Sequence, residues 1–299
     1  MSRRSPSYPL VTVYIPTYNR PDMLARAVLS VVNQTYKNIE ILVVDDNSDI
    51  QTQEKLKALS ETYSFTLLHN RRTKGACGAR NTAITKAKGH YITGLDDDDE
   101  FLPNRIEEMV TRFDMERFSA IATTTLVRKS ANETVVRNAD KGVLTLDDQL
   151  HYNKVGNQVL TLTERLKDIG GFDEYLPSFQ DYDAWIRLSH HYGPILKIDH
   201  PSYLTHTEHE NRISTSSEKK QQGLKLFKEK HSPLLSKQHI QSLSILSLQH
   251  SSSRASLTML LPLISKQNWK SAVSFYLDSN FSSLTTLLRK LKMKLKTRQ

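Results

Sequence analysis

Short β-branched runs alternate with stretches of helical spacing along the first third of the chain. Residues 10–16, LVTVYIP, and 39–44, IEILVV, read as strands, and between them Leu24, Ala27, Val28 and Val31 recur at helical spacing within 21–32. The alternation continues with a helix over 51–61, a strand over 65–68, a helix beginning near Ala79 and a strand over 90–95. Strands alternating with helices predict an α/β fold, a mainly parallel central sheet covered by helices on both faces, with a ligand crevice at the carboxyl ends of the strands. After Pro103 the pattern predicts a helix over 105–118 and a strand over SAIATTTLV, and from 147 to 203 it mixes short elements without a repeat. From Ser217 the composition turns to Ser, Lys, Gln and Leu with almost no Gly, which predicts a helical extension. The expected organisation is therefore a domain over 1–216, with halves 1–105 and 106–216, and a C-terminal helical extension over 217–299.

Polar residues collect where these strands end. The first strand closes on Pro16-Thr17-Tyr18-Asn19, the second on Asp45-Asp46-Asn47-Ser48, and the fourth on the acidic run of LDDDDEFLP, Asp96 to Asp99. Two ionised carboxylates about 4 Å apart repel by roughly 4 kcal/mol at the effective dielectric of a protein surface. The run either points into water as a loop or converges on a cation, for which an oxygen-rich cluster suits Mg²⁺, Mn²⁺ or Ca²⁺. Taken singly, residues 45–48 also read as a capped turn and Tyr18 as a core wedge. Three such clusters at successive ends of one sheet would meet on one edge, the expected ligand crevice.

Composition narrows the classes. With 299 residues, 38% apolar and 24% charged, the chain is globular rather than disordered. Its one cysteine, Cys77, forms no internal disulfide framework, so a reducing, cytoplasmic setting is expected. The apolar run from Val11 is too short and interrupted for a signal peptide, and TMLLPLI, broken by Pro262, is too short to span a membrane. A net charge of +9 predicts attraction to something anionic. Six basic residues and no acidic one lie between Arg289 and Arg298, interleaved with Leu291, Met293 and Leu295, a pattern shared by a solvated helix end, an oligomer contact and a segment lying on an anionic membrane surface.

PTYNR, VVDDNSD, GACGARN and LDDDDEFLP stand in an order and spacing that resemble the inverting family 2 glycosyltransferases of the GT-A fold, over roughly residues 9–215. The resemblance implies transfer of a sugar from a UDP-sugar to a saccharide acceptor, lipid-linked as in bacterial relatives that build O-antigen, capsule or lipooligosaccharide, with the enzyme cytoplasmic or peripheral on the inner membrane face. It implies that Pro16, Thr17, Tyr18, Asn19 and Asp45 line the nucleoside pocket, and that Asp46 accepts from the base, as an ionised carboxylate suits a donor edge. Arg80, at a helix start after Gly75 and Gly78, either runs beside the sugar donor or bridges to the acidic run. Asp96 and Asp98 match the DxD motif, with Asp97 beside them, and would hold Mn²⁺ or Mg²⁺ against the diphosphate. In FQDYDAWIRL, Asp181 matches the general base, Gln180 stands where the family has Glu, and Asp183 reads as a helix N-terminal residue. GGFDE and Trp185 resemble the acceptor side, although Trp185 also reads as core. In HTEHENRIS, His209 fits the metal or diphosphate position better than His206, and Arg212 and Ser214 fit a lid.

Two other classes compete. A sugar-phosphate nucleotidyltransferase would need a Gly-rich basic loop straight after the first strand, where this chain has PTYNRPD. A non-catalytic anion-binding protein is favoured only by net charge; no RNA-binding aromatic motif is present and the basic residues concentrate in the tail, so no nucleic-acid partner is expected.

Overall fold

The computed structural model describes residues 8–130, 133–137, 140–207, 216–251, 254–282 and 285. Two compact units divide the chain, one formed by 1–149, 153–176 and 180–212, the other by 150–152, 177–179 and 213–299.

The first unit begins with β1 (Val11–Thr17), α1 (Pro21–Val32), β2 (Ile39–Asp45), α2 (Ile50–Tyr63), β3 (Thr66–His69), α3 (Ala76–Lys86) and β4 (Tyr91–Gly94). Pro21 starts α1 where no backbone N–H is needed, and Asp49 accepts from the Thr52 N–H to cap α2. It continues with β5 (Glu100–Phe101), α4 (Arg105–Arg112), β6 (Ala120–Ser130), β7 (Glu133–Arg137), β8 (Gly142–Leu144), α5 (Leu146–His151), β9 (Leu160–Leu162), α6 (Thr163–Asp168), α7 (Gln180–Tyr192) and β10 (Ile195–His206). Strand order is β3-β2-β1-β4-β9-β6-β10-β5, with β7 on β6 and β8 on β10. The β3-β2-β1-β4 half is wholly parallel, as expected, and β6 pairs β10 in parallel. Elsewhere the sheet is mixed, because β9 runs antiparallel to both β4 and β6.

The period of two along β1 sorts its side chains into two cores. Val11, Val13 and Ile15 pack with α1 residues Leu24, Ala27 and Val28 on one face. Tyr14 packs on the other with Ala79, Ala83 and Ile84 of α3 and with Ala184, Trp185 and Leu188 of α7. Cys77 lies in this second layer, 7% exposed, and burial pushes its thiol up to about 12. Register then sets the edge: Thr17 lies beside Asp45, Asp45 beside His69, and Tyr14 beside Gly94. β1, β2 and β3 therefore end together, β4 stops three residues earlier, and the chain beyond β4 brings Asp97 to Thr17, so the polar tails emerge side by side.

The helix expected over 105–118 stops at Arg112. Phe113 turns extended, and Asp114 Oδ1 accepts from the N–H groups of Glu116 and Arg117. Phe113 and Phe118 are both buried in the same core, and five residues apart they would point away from one face of a continuous helix.

The second unit contains α8 (Ser217–Lys230), α9 (Lys237–Gln249), α10 (Leu257–Leu260) and α11 (Trp269–Asn280). Ser216, Ser236 and Ser256 each cap a helix through the side chain, Ser236 in a reciprocal box with His239, which gives the serine-rich composition a structural use. One buried cluster in it is formed by Ile245, Ala255, Leu260 and Ala272. The basic run from Arg289 to Arg298 lies outside the described residues.

Candidate active site

Each strand end carries a different hydrogen-bonding task. After Pro16, Thr17 at the end of β1 donates from Oγ1 to Asp97 Oδ2 at 2.8 Å. Tyr18 is 44% exposed, with the Lys74 ammonium 4.5 Å from its ring centroid, so it is no core wedge. Asn19 takes the left-handed conformation at φ 52°, which Asn tolerates. There its N–H donates to Ser48 Oγ and its Oδ1 accepts from the Asp49 N–H, both at 2.9 Å, tying the β1 end to the turn before α2. Asp45 closes that turn by accepting from the Ser48 N–H at 3.1 Å. Asp46, 6% exposed, accepts from Asn70 Nδ2 at 2.6 Å and from the Gly75 N–H at 2.7 Å. It thereby shapes the loop that leads into α3.

The acidic run does not crowd its four carboxylates together. Asp97 and Asp99 turn inward, while Asp96 and Asp98 keep 25% and 21% of their side chains exposed. Asp97 meets Arg20 Nη1 at 3.4 Å and Asp98 meets the same nitrogen at 3.5 Å, and Arg26 donates to the Asp98 carbonyl at 2.6 Å. Asp99 Oδ1 accepts from the His206 N–H at 3.1 Å. The Asp96 N–H donates to the Tyr203 hydroxyl at 3.3 Å. Burial lifts the Asp97 carboxyl to about 6, and burial together with the charges of Asp96 and Asp98 holds Asp99 well above the carboxylate range. Surplus negative charge of this kind, presented by oxygens alone, is the donor chemistry a hard divalent cation takes. Among the described residues the run does not gather ligand atoms from three residues within 4.8 Å of one another, so Asp96 and Asp98 could supply only part of a coordination shell.

Arg80 joins this run to α7. It is 8% exposed, with Nη2 2.8 Å from Asp96 Oδ1, Nη1 3.5 Å from Asp181 Oδ1, and its guanidinium 5.2 Å from the Phe172 ring centroid. The sequence left Arg80 as phosphate neighbour or bridge, and the geometry is that of a bridge. Asp181 Oδ1 accepts no hydrogen bond from the described residues. Burial raises its carboxyl to about 6, against the lowering by Arg80, even though 26% of the side chain still reaches solvent. Gln180, beside it, donates to the Leu176 carbonyl at 2.9 Å. Asp183 is fully buried and pairs with Arg187 at 2.7 Å, so a specific ion pair within α7 adds to any helix-dipole role.

The GGFDE segment is fastened to α3. Gly171, at φ 67°, lets the Phe172 N–H reach Asn81 Oδ1 at 2.8 Å, and Asn81 Nδ2 donates to Phe172 O and to Glu174 Oε1. Glu174 also pairs with Arg72 at 3.2 Å. Trp185 is fully buried, its indole N–H on the Gly156 carbonyl, and serves the core. His206 contacts Glu100 at 2.7 Å, while His209, Arg212 and Ser214 lie outside the described residues.

Sequence reasoning missed Arg20, Arg26, Asn70 and Tyr203. Arg20 carried a signal, closing the quoted PTYNR motif; Tyr203 carried none, since its partners lie some hundred residues away.

Comparison with known proteins identifies the family and the fold. The chain is 35% identical over 234 residues to WcaA of Escherichia coli (strain K12), named as a colanic acid biosynthesis glycosyl transferase, across 75% of this chain and 81% of that one. It is 30% identical over 183 residues to the Escherichia coli UDP-Glc:alpha-D-GlcNAc-diphosphoundecaprenol beta-1,3-glucosyltransferase WfgD, covering 60% of this chain and 69% of WfgD. Among solved structures, S. aureus TarS 1–349 in complex with UDP-GlcNAc shares the fold with a TM-score of 0.63 at 17% identity, over 90% of this chain and 81% of that one. The mannosyltransferase PcManGT from Pyrobaculum calidifontis, in complex with GDP-Man and Mn²⁺, gives 0.55 at 16% identity, over 92% and 87%. Residues 12–169 match Glycosyl transferase family 2, and the chain belongs to that family.

Proposed function

We propose that this glycosyltransferase moves a sugar from a UDP-sugar to a lipid-linked saccharide with inversion, using Asp181 as general base, and that residues 1–216 carry the chemistry. The observation that carries the reading is Arg80, which couples the acidic run to Asp181, a carboxylate at the start of α7 whose Oδ1 accepts no hydrogen bond and whose side chain keeps 26% exposure. A base must accept a proton from the attacking hydroxyl, and with Arg80 on the buried Oδ1 the exposed Oδ2 is the oxygen left to take it. A carboxyl titrating near 6 is ionised at neutral pH and still basic enough to be effective.

The other residues bind and orient. Thr17, Tyr18 and the Asp45–Asp46 turn form the nucleoside end, with Asp46 ordering the loop of Asn70 and Gly75 on which the α3 N-terminus depends. Asp96 and Asp98 would hold Mn²⁺ or Mg²⁺, joined in our reading by His209. When bound, the ion supplies positive charge for the departing diphosphate. WfgD, whose name specifies a diphosphoundecaprenol-linked substrate, and TarS, seen with UDP-GlcNAc, support a uridine donor and a lipid-linked acceptor. No described helix is long and apolar enough to cross a membrane. We place the enzyme at the cytoplasmic face of the membrane, held peripherally.

UDP with Mn²⁺ is expected to raise the melting temperature, and Asp98→Ala to abolish the metal-dependent part of that rise. No shift with any nucleoside diphosphate would overturn the donor assignment. Asp181→Asn is expected to keep UDP binding while transfer from a UDP-sugar to undecaprenyl-diphosphate-linked acceptors, read by mass spectrometry, falls by about 10²–10⁴.

A further inference from the structure

Helix α11 has two apolar faces, and the fold buries one of them. Ala272 is fully buried, and it packs with Phe275 and Tyr276 against Ile245 and Leu260. The second face carries Trp269, Val273 and Leu277 at four-residue intervals, a spacing that lines one side of a helix, and Phe281 extends it just past the helix end. These four side chains are 48%, 45%, 39% and 49% exposed. The Lys270 ammonium stands 5.7 Å from the Trp269 ring centroid. Lys266 precedes the helix, and the chain then runs on to the six cations between Arg289 and Arg298, with Asp278 the one acidic residue from 266 to 299.

We infer that this stripe of α11 is an interfacial membrane contact, laying its aromatic and aliphatic side chains into the headgroup region of an anionic phospholipid bilayer while the flanking lysines and the basic run pair with lipid charge. The inference rests on the lipid-linked acceptor proposed above. Tryptophan at one end and an exposed aliphatic row beside cations are the composition of a helix lying in the interface plane. Neither signal alone holds a protein firmly, since scattered surface cations and a short apolar stripe each give only weak, reversible attachment. Together they give stable attachment. A second copy of this chain is the competing occupant, but its stripe would bring a like-charged flank against this one.

The chain has two tryptophans, and Trp185 is fully buried, so vesicle-dependent change in emission reports Trp269. The full chain is floated with vesicles of phosphatidylglycerol and phosphatidylcholine, and with phosphatidylcholine alone. Expected results are binding to the anionic vesicles with a blue shift in emission, and at least a tenfold loss of binding in Trp269→Ser/Val273→Ser/Leu277→Ser with the melting temperature kept. Lys292→Glu/Lys294→Glu/Lys296→Glu tests the basic run separately. If that variant loses binding while the stripe variant keeps it, membrane attachment stands and the role of the stripe falls. If the native chain ignores all vesicles, both fall. A native dimer that the stripe variant turns into monomer, without vesicle binding, assigns the stripe to self-association and overturns the proposal.

Discussion

Replacing Arg80 by Met removes the cation shared by Asp96 and Asp181 while keeping a linear apolar side chain over Phe172. At the 3.5 Å separation of Arg80 and Asp181, the attraction is about 1 kcal/mol at the dielectric of water and about 5 kcal/mol at an effective value of 20. With a quarter of the Asp181 side chain in solvent, the lower part of that range applies. Each 1.36 kcal/mol is one pH unit of titration, so loss of Arg80 is expected to raise the acid limb of kcat/KM by about 1 pH unit or more. The sign follows from Arg80 favouring the ionised carboxylate: without it, the base stays protonated to higher pH. Breaking a buried pair costs roughly 3–5 kcal/mol, and partial exposure of both carboxylates brings the expectation to about 2–3 kcal/mol, a fall in Tm of about 4–12 °C. The assay is UDP-sugar turnover against pH at saturating metal, with thermal melts of the same samples. Arg80→Lys restores charge without the two-pronged geometry and should return the limb most of the way. A folded Arg80→Met enzyme whose acid limb coincides with the native one would refute the coupling, and with it the reading of Asp181 as the titrating base.

Three further outcomes are expected. The Asp97 carboxyl titrates near 6 in the fold against 3.8 ordinarily, so the native state binds more protons between those values and stability is lost as pH rises through that window; Asp97→Asn should flatten this part of the Tm-versus-pH curve in metal-free protein, and an unchanged slope would show that Asp97 is not its source. Gly171→Ala places a methyl group against Asn81 Oδ1 in a left-handed backbone and should cost about 1–3 kcal/mol by denaturant melts, whereas Gly170→Ala, with no atom within 4 Å, should cost only about 1 kcal/mol; equal losses would remove the Asn81 contact as the cause. Asp46→Asn leaves one acceptor oxygen for two donors, Asn70 Nδ2 and the Gly75 N–H, and should weaken UDP binding about tenfold by calorimetry through the loop at Gly75; native affinity would exclude that loop as a determinant.

What was legible in the sequence was local. The β-branched runs of β1 and β2 and the 24/27/28/31 stripe of α1 are set by periodicity within a few residues, and the polar tails after β1, β2 and β4 follow once parallel pairing brings the strand ends together. The overlong helix after Arg105 failed because helical spacing continues past the point where Phe113 and Phe118 must face one core. Arg20, Arg26, Asn70 and Tyr203 were missed for a different reason. Arg20 and Arg26 meet the carboxylates of Asp97 and Glu100 more than seventy residues on, and Asn70 and Tyr203 are ordinary loop and strand residues until tertiary packing aims them. Arg80 was visible as a candidate, but its choice between phosphate and carboxylate depends on where α7 lies, which no spacing within GACGARN encodes.

The buried thiol of α3 supplies a natural stopwatch. With Cys77 the sole sulfhydryl and its ionisation pushed up to about 12 by burial, thiolate is scarce at pH 8, and the sulfur is shielded. Alkylation must therefore wait for α3 to lift from the sheet, so the labelling rate counts openings of the segment that holds Arg80. A bound nucleotide that pins the α3 N-terminus will slow that count, registering occupancy without a transferred sugar or a fluorescent tag.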